Sequence, residues 1–407
     1  EMRHRDPGKA DHGRQRDPRR FVRTSEHATD CQCRVTIMTA TTDPAAASEN
    51  GPRDRAANKP ASAAQGHSAT SAKILVTGAT GLIGRNFARR AAAAGYSVLA
   101  MVRRNSDRSA LDGVAVQFVE GDLAQPETLP GALADADVVV HTAAHLGDWG
   151  PPEKYRAINV VALDHMLNAV VRRGELQRWI QLSSQGVYPA RHHYGTDETT
   201  PPETNNIDGY TQTKAESELV VHRYIREHNL PAVIIRPGFT YGPGERNALK
   251  RVVEKIEAGK MKIIGRGDRV VNNTSVHNLC DAILLAIQTP NINGETFNIR
   301  DERLVTREEF VHTICDYLGK PHPRHVPERL VKGLVGPIEA IARLIGTESP
   351  PIITRGQIKF LTQNLDYSIA KAKRMLGYRP RVDFRDGIIE ALDYLTGKPI
   401  VRELATS

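Results

Sequence analysis

The distribution of hydrophobic positions divides the chain into an unpatterned start and a long patterned body. Residues 1–71 have few apolar side chains and no helical or strand period, and they end in an Ala/Ser/Asn/Pro-rich run. Such a segment cannot bury enough surface to offset its ordering entropy, so we predict a disordered N-terminal extension. Met38 lies within it, which leaves open a translation start at that residue.

From Lys73 onward, short apolar runs alternate with amphipathic stretches, and a strand buried on both faces is predicted over residues 74–77. The alternation predicts an α/β fold, a doubly wound Rossmann-type parallel sheet with a smaller mixed α/β substrate domain. The expected boundaries are 72–245 for the dinucleotide-binding domain, 246–395 for most of the substrate domain, with some segments returning to the core, and 396–407 for a tail.

Three glycines occupy the predicted turn between the first strand and the first helix. Gly78 permits a tight turn, Gly81 lets the backbone approach a pyrophosphate, and Gly84 allows the helix to pack closely on the strand. The helix N-terminus would direct free N–H groups at the phosphates. We therefore predict a dinucleotide cradle, with a purely structural turn as the alternative. Its members are Gly78, Thr80, Gly81, Leu82, Ile83 and Gly84.

The second strand ends in Arg103 and Arg104, at the position where NAD enzymes place an acid for the ribose hydroxyls. A guanidinium favours a 2′-phosphate, so NADP is expected over NAD. The alternative is that these arginines stack on the adenine or face solvent. Asp122 and Leu123 follow the third strand and are candidate adenine contacts. Thr142, Ala143 and Ala144 follow the fourth strand and are small enough for the cofactor to lie against them.

The candidate catalytic residues are Ser184, Tyr210 and Lys214. Ser184 follows the fifth predicted strand, at the edge where doubly wound sheets bind ligands. Tyr210 and Lys214 are four residues apart, which places both on one face of a helix. The ammonium, and the positive charge of an oxidised nicotinamide, are expected to lower the pKa of the phenol. Tyr210 can then exchange a proton with an alcohol or ketone while hydride moves to or from the nicotinamide. Ser184 would hold the substrate oxygen, and Lys214 would also bind the nicotinamide ribose.

As a set, these motifs resemble the extended short-chain dehydrogenase/reductase family. The resemblance covers roughly residues 73–395 and implies a Rossmann fold, bound NAD(P) and a C-terminal substrate domain. It further implies that Asn159 supports the active site, and it adds Pro237 and Gly238 to the cofactor contacts. It also implies a homodimer formed through two helices of the core domain. The matching segments are 77–84, 121–123, 141–144, 183–188, Tyr210 with Lys214, 236–238, 241–244, 370–372 and 376–380.

Three functions compete within this framework. The sequence 276–279, with Asn278 where epimerases have an aspartate, looks more like the 3β-hydroxysteroid dehydrogenase and dihydroflavonol reductase branch. That branch implies alcohol–ketone interconversion on an apolar substrate, with Gln185, Phe239 and Tyr241 as candidate substrate residues. The alternative is a nucleotide-sugar epimerase or dehydratase with the same Ser-Tyr-Lys site, and the third is a non-catalytic NADP-binding sensor. Three arginines remain available for a substrate phosphate: Arg246, Arg266 and Arg269.

Two features of the remaining sequence leave several interpretations open. An apolar stripe over residues 330–345 is expected to pack on the core of the substrate domain, with a substrate lid or a membrane-surface helix as alternatives. His192 and His193 lack acid or cysteine partners at ligand spacing, so exposed loop residues are expected rather than a metal site.

Composition adds little to this picture. The chain has 407 residues and a formal net charge of +8, part of which comes from the Arg-rich start, so a solvated tail is expected there rather than nucleic-acid binding. Four cysteines fit neither a disulfide framework nor a zinc site. No apolar run is long enough for a membrane span. The expectation is a cytoplasmic enzyme with a small-molecule substrate and no metal.

Overall fold

The computed structural model describes residues 72–398 apart from Asp148, Ile207, Glu348, Ser349 and Ile352. The predicted disordered extension lies outside the described residues, as does the predicted tail beyond residue 398. Seven strands form one sheet in the order β12-β7-β5-β4-β1-β2-β3, and every pairing in it is parallel. The strands are β1 (Lys73–Thr77), β2 (Ser97–Val102), β3 (Val116–Glu120), β4 (Val138–His141), β5 (Arg178–Leu182), β7 (Ala232–Pro237) and β12 (Thr296–Ile299).

Helices cover both faces of this sheet because consecutive strand residues face opposite sides. Ile74 and Val76 pack towards one set of helices, and Leu75 packs towards the other. The first set is α1 (Leu82–Ala93), α7 (Val276–Gln288) and α11 (Ala370–Leu376). The second is α2 (Leu129–Leu133), α4 (Ala162–Arg173) and α5 (Gly209–His228), with α3 (Pro152–Arg156) leading through a π-helical turn, Ala157–Val161, into α4. The expected doubly wound parallel sheet is confirmed.

A smaller mixed α/β region is built from the chain after β7 and has a hydrophobic core of its own, which includes Leu249, Phe310, Ile314 and Phe384. Its helices are α6 (Ala248–Glu257), α8 (Arg307–Leu318), α9 (Glu328–Ile345), α10 (Arg355–Thr362) and α12 (Phe384–Thr396). Short strands complete it or link it to the main sheet: β6 (His193–Thr196), β8 (Phe239–Tyr241), β9 (Ile263–Ile264), β10 (Val270–Val271), β11 (Asn273–Ser275), β13 (Val305–Thr306), β14 (His325–Val326) and β15 (Leu365–Tyr367).

The apolar stripe of α9 does not pack on a core, and the expectation that it would is wrong. Leu330, Leu334 and Ile341 are at least half exposed, and Ile345 is more exposed still. The helix is attached through another face, because Glu339 is buried and bonds both the main chain and the side chain of Arg355 on α10. The lid and membrane-surface interpretations stay predictions. No helix in the described part of the chain is long and apolar enough to cross a membrane.

Candidate active site

The glycine turn joins β1 to α1 with very little space around two of its glycines. Gly78 has a φ of +63°, a conformation that disfavours side chains, and a Cβ there would lie 2.9 Å from the backbone of Ala143. A Cβ at Gly84 would lie 2.2 Å from the Gly78 carbonyl oxygen, so only glycine allows α1 to approach β1. A Cβ at Gly81 would meet nothing within 4 Å except the Gly78 carbonyl oxygen at 3.2 Å. The outer side of the turn is therefore open.

This geometry fits a dinucleotide. Gly81 is the N-cap of α1 and has no side chain with which to satisfy the first amides of the helix. Thr80, Leu82 and Ile83 are partly exposed beside it, so the turn can present main-chain N–H groups to a pyrophosphate.

Thr77 joins the ends of β1 and β4 through contacts that were not predicted. Its hydroxyl accepts from the Ala143 amide at 3.1 Å and contacts Nδ1 of His141 at 3.0 Å, while the Thr142 hydroxyl donates to its carbonyl at 2.7 Å. Burial and the charge of Lys214 lower the pKa of His141 to about 3, so its ring is neutral. Thr142, Ala143 and Ala144 remain partly exposed at this edge.

Asn159 lies in the π-helical turn before α4, a distortion that often marks a functional position. Its amide oxygen accepts from the His145 amide at 2.7 Å, and its amide nitrogen donates to the His145 carbonyl and to the Thr213 hydroxyl. Asn159 therefore fastens the loop after β4 to α5, next to Lys214. Its buried side chain supports the site rather than facing an open cleft.

Ser184, Tyr210 and Lys214 come together at the carboxyl edge of the sheet. Ser184 follows β5, and its Oγ accepts a hydrogen bond from the Gly186 amide at 3.0 Å. Lys214 is buried and its ammonium donates to the Leu182 carbonyl at 2.6 Å. Asp208 caps α5 by accepting from the Thr211 amide at 2.8 Å, which places Tyr210 in the first turn of the helix.

The protonation states differ from the expectation of an acidified phenol. Burial and the negative charge of Asp208 raise the pKa of Tyr210 to about 12, and a side-chain hydrogen bond with Ser184 opposes them. Burial lowers the pKa of Lys214 to about 8, while the carboxylate of Glu218 opposes that change. The protein surroundings therefore keep Tyr210 as a phenol at neutral pH. The physical reason is that desolvation disfavours the phenolate.

A buried ion pair lies behind this triad and was not predicted. Arg236 on β7 bonds Glu218 on α5 through two nitrogens, at 2.6 and 2.9 Å, and a third nitrogen donates to the Tyr188 hydroxyl at 2.9 Å. Ser183, next to Ser184, donates to the same Glu218. The available signals were Glu218, four residues after Lys214, and the Arg236-Pro237 pair that ends β7.

The two arginines at the end of β2 have different surroundings. Arg104 pairs with Glu120 at 3.0 Å, so its charge is partly neutralised. Arg103 is exposed, and its guanidinium forms no hydrogen bond or ion pair within the described residues. One carboxylate oxygen of Asp122 accepts from the Ala124 amide at 2.9 Å, whereas the Leu123 side chain packs into the core and leaves its main chain for a ligand.

The last predicted cofactor residues lie where β7 meets β8. Pro237 is buried at the end of β7. A Cβ at Gly238 would lie 1.9 Å from the Asn272 carbonyl oxygen, so glycine is required for β8 to pair with β11.

The three candidate substrate residues differ in their exposure. Phe239 is partly exposed and packs against Phe310 and Phe360, with ring centroids 5.8 and 5.6 Å away. Tyr241 is wholly buried and donates to Asp301 at 2.7 Å, so it belongs to the core and not to a substrate surface. Gln185 is also wholly buried and its amide bonds Ile299 and Asn272. Tyr241 and Gln185 are thus corrected to structural residues, because their polar groups are already used internally.

The two adjacent histidines, His192 and His193, also differ in burial. His192 is exposed as expected, but His193 is buried, bonds Thr196 and Pro189 at 3.0 Å each, and packs against the ring of Tyr367. Burial lowers its pKa. The described residues contain no group of three or more His, Cys, Asp or Glu side chains arranged for a metal ion.

The fold and the nucleotide turn define a class: this protein is an NAD(P)-dependent oxidoreductase or epimerase of the extended short-chain dehydrogenase type. The chain belongs to the NAD dependent epimerase/dehydratase family, whose model matches residues 74–299. The predicted family resemblance and enzyme class are confirmed.

Individual relatives are similar at modest identity. A 2-alkyl-3-oxoalkanoate reductase of Shewanella oneidensis is 28% identical over 328 residues, covering 77% of this chain and 84% of the relative. A 3-beta-hydroxysteroid dehydrogenase of Mycolicibacterium neoaurum is 28% identical over 338 residues, covering 80% of this chain and 91% of the relative. The crystal structure of gox2253 has a TM-score of 0.69 and 28% identity, covering 80% of this chain and 98% of that one.

Proposed function

We propose that this enzyme reduces a ketone on an apolar substrate, or oxidises the corresponding alcohol, with NADP(H) as cofactor and Tyr210 as the general acid/base. The proposal is supported by the hydrogen bond between Ser184 and Tyr210 and by buried Lys214 near them, at the same carboxyl edge of the sheet that carries the glycine turn.

Each of the three side chains has a defined task. The nicotinamide, when bound, supplies or accepts the hydride. Tyr210 gives its hydroxyl proton to the substrate oxygen during reduction and takes it back during oxidation. Ser184 accepts from the Gly186 amide and its hydroxyl also bonds that of Tyr210, so a substrate oxygen that receives the Ser184 hydrogen bond takes the place of the Tyr210 oxygen as its acceptor. Lys214 places a positive charge beneath the site and holds the cofactor ribose.

The protein surroundings keep Tyr210 protonated at neutral pH, with a pKa of about 12. In this form the phenol can donate its proton to a ketone, and the reverse reaction needs the phenolate.

Two features support an apolar substrate. Phe239 lies two residues after the end of β7 and remains partly exposed within an aromatic cluster. The C-terminal end of α9 is close to the loop after β4, because the Trp149 indole donates to the Thr347 carbonyl at 3.0 Å, just beyond the helix. This arrangement suits a lid over an apolar ligand. The relatives named after a 2-alkyl-3-oxoalkanoate and a 3β-hydroxysteroid agree with such a substrate.

The arginines available for a substrate phosphate are fewer than the sequence suggested. Arg266 pairs with Asp268 at 2.5 Å, and Arg269 pairs with Glu328 at 3.1 Å. Arg246 and Lys250, together with Tyr394 and Leu395, line a cavity of about 280 Å³, but none of Ser184, Tyr210 and Lys214 lines it.

A substrate panel separates these functions. The full-length protein is incubated with NADPH and dihydrotestosterone, or with a 2-alkyl-3-oxoalkanoate, and nicotinamide absorbance is followed. Steady, ketone-dependent loss of NADPH supports the proposal. Conversion of UDP-glucose with no net change in nicotinamide would instead establish the epimerase alternative. NADPH binding without turnover of any panel member would favour the sensor.

A further inference from the structure

A buried lysine outside the triad contacts the segment that carries the catalytic serine. Lys359 on α10 is 8% exposed. Its ammonium donates to the Gly186 carbonyl at 2.9 Å, to the Tyr188 carbonyl at 3.1 Å and to the Asn206 side-chain oxygen at 3.1 Å. These three bonds use all three of its N–H groups.

The segment that Lys359 holds also orients Ser184. The short 3₁₀ turn Gln185–Val187 begins at Ser184, whose hydroxyl accepts from the Gly186 amide. The carbonyl of the same Gly186 is held by Lys359 and by the Asn206 amide nitrogen at 3.1 Å. Gly186 is tightly placed, since a Cβ there would lie 2.9 Å from Thr211 in the first turn of α5.

We infer that Lys359 is a positioning residue for catalysis. It fixes the main chain of Gly186, and through the Gly186 amide it fixes the direction of the Ser184 hydroxyl towards the substrate oxygen. This inference rests on the proposed role of Ser184. It also connects the C-terminal region to the chemistry, because Phe360, the next residue on α10, packs against the candidate substrate residue Phe239.

The ammonium form of Lys359 is needed for this role. A neutral amine has two hydrogens and one lone pair, so it cannot satisfy three acceptors and would direct the lone pair at one of them. Burial lowers the pKa of Lys359 to about 8, and the carboxylates of Asp208 and Glu203 act against that change. The fixed geometry is therefore expected below about pH 8 and is lost as the pH rises through that value.

The test compares wild type with Lys359→Met, using the panel ketone that wild type reduces, from about pH 6 to about pH 9.5, a range that brackets the Lys359 pKa of about 8. Lys359→Met should lower kcat roughly 10- to 100-fold at neutral pH, as expected for a misplaced reacting group. The ratio of wild-type to variant kcat should shrink above pH 8. NADPH affinity, measured by fluorescence titration, should stay close to wild type.

Two further variants make the result specific. Lys371→Met removes a partly buried lysine that pairs with Glu295 at 2.6 Å, away from the serine segment, and should keep wild-type kcat. Because Lys359 acts through Ser184, the double variant Ser184→Ala/Lys359→Met should turn over no more slowly than Ser184→Ala alone. Thermal melting of each variant verifies that it is folded at the assay temperature.

A kcat ratio that stays constant with pH, or fully additive losses in the double variant, would show that Lys359 has a packing role alone and would overturn the inference. Wild-type turnover in Ser184→Ala would instead refute the proposed function itself. Hydrogen–deuterium exchange needs no substrate and gives an independent answer. Amides of residues 184–188 should exchange faster in Lys359→Met than in wild type at pH 7, and unchanged protection would also contradict the inference.

Discussion

At the scale of single residues, cofactor choice depends on which charge at the end of β2 is free to meet a ribose phosphate. Arg104 already pairs with Glu120, whereas Arg103 is exposed and forms no such pair within the described residues. An ionic hydrogen bond to a phosphate contributes roughly 1.5–3 kcal/mol, which is enough to decide between NADP and NAD. We therefore propose that Arg103 would contact the 2′-phosphate of NADP.

Arg103→Asp tests that assignment. The variant should lose roughly 10- to 100-fold of its NADPH affinity relative to NADH, because an attractive charge is replaced by a repulsive one. Fluorescence titration with both cofactors measures the ratio. Arg104→Gln is the matched control and should change the ratio far less. An unchanged preference in Arg103→Asp would discredit the phosphate argument.

At the scale of secondary-structure elements, the carboxyl edge of the sheet depends on close backbone contacts. β8 runs parallel to β11, and a Cβ at Gly238 would lie 1.9 Å from the Asn272 carbonyl oxygen. A side chain at Gly238 has no room unless the two strands separate.

Gly238→Ala should therefore destabilise the protein by about 3 kcal/mol, the upper range for overpacking. Guanidinium unfolding monitored by circular dichroism measures the change. Gly333→Ala on α9 provides the control, because its added methyl group meets nothing within 4 Å. That substitution should be neutral or stabilising by up to about 1 kcal/mol. Equal stability of the two variants would refute the close-contact argument.

The sequence was informative where structure is local. Buried parallel strands are continuous apolar runs, so β1, β4, β5 and β7 could be located from pattern alone. The glycine turn could also be predicted from the sequence, because its spacing is set by backbone sterics. Contacts between distant segments could not be predicted. Nothing near Lys359 in the sequence indicates that it meets Gly186, and nothing near Tyr241 indicates its bond to Asp301.

Two errors share this origin. The phenol of Tyr210 was expected to be acidified because Lys214 lies one helical turn away, but burial and the charge of Asp208 dominate. The stripe on α9 was expected to be buried because it is apolar, but α9 is fastened through Glu339 on another face. In both cases periodicity identified the right face of a helix, while the surroundings of that face depend on the tertiary structure.

At the scale of the whole molecule, we propose a homodimer formed through α4 and α5. These neighbouring helices cover one face of the sheet. Leu219 on α5 is 53% exposed, and Val161, at the end of the π-helical turn before α4, is 47% exposed. An ion pair between Arg223 on α5 and Asp164 on α4 joins these two helices, and Arg156 on α3 pairs with Glu216 on α5. Apolar side chains flanked by such polar groups suit a subunit interface.

Leu219→Glu should convert the dimer to a monomer, because it buries an unpaired charge at the centre of that interface. Sedimentation velocity at micromolar concentration measures the state. Leu344→Glu, at an 89% exposed position on α9, is the control and should leave the dimer intact. A monomeric wild type, or a Leu219→Glu variant that sediments as a dimer, would refute the interface.

The proposed chemistry depends on proton donation by Tyr210. The rate of NADPH-dependent ketone reduction by Tyr210→Phe tests this proton donation most directly. The substitution removes one hydroxyl, so reduction should slow by roughly 100- to 10,000-fold while NADPH still binds. Tyr194→Phe, at a 76% exposed tyrosine, is the matched control and should retain wild-type rates. Wild-type turnover by Tyr210→Phe would show that the proton comes from elsewhere and that the proposed chemistry is wrong.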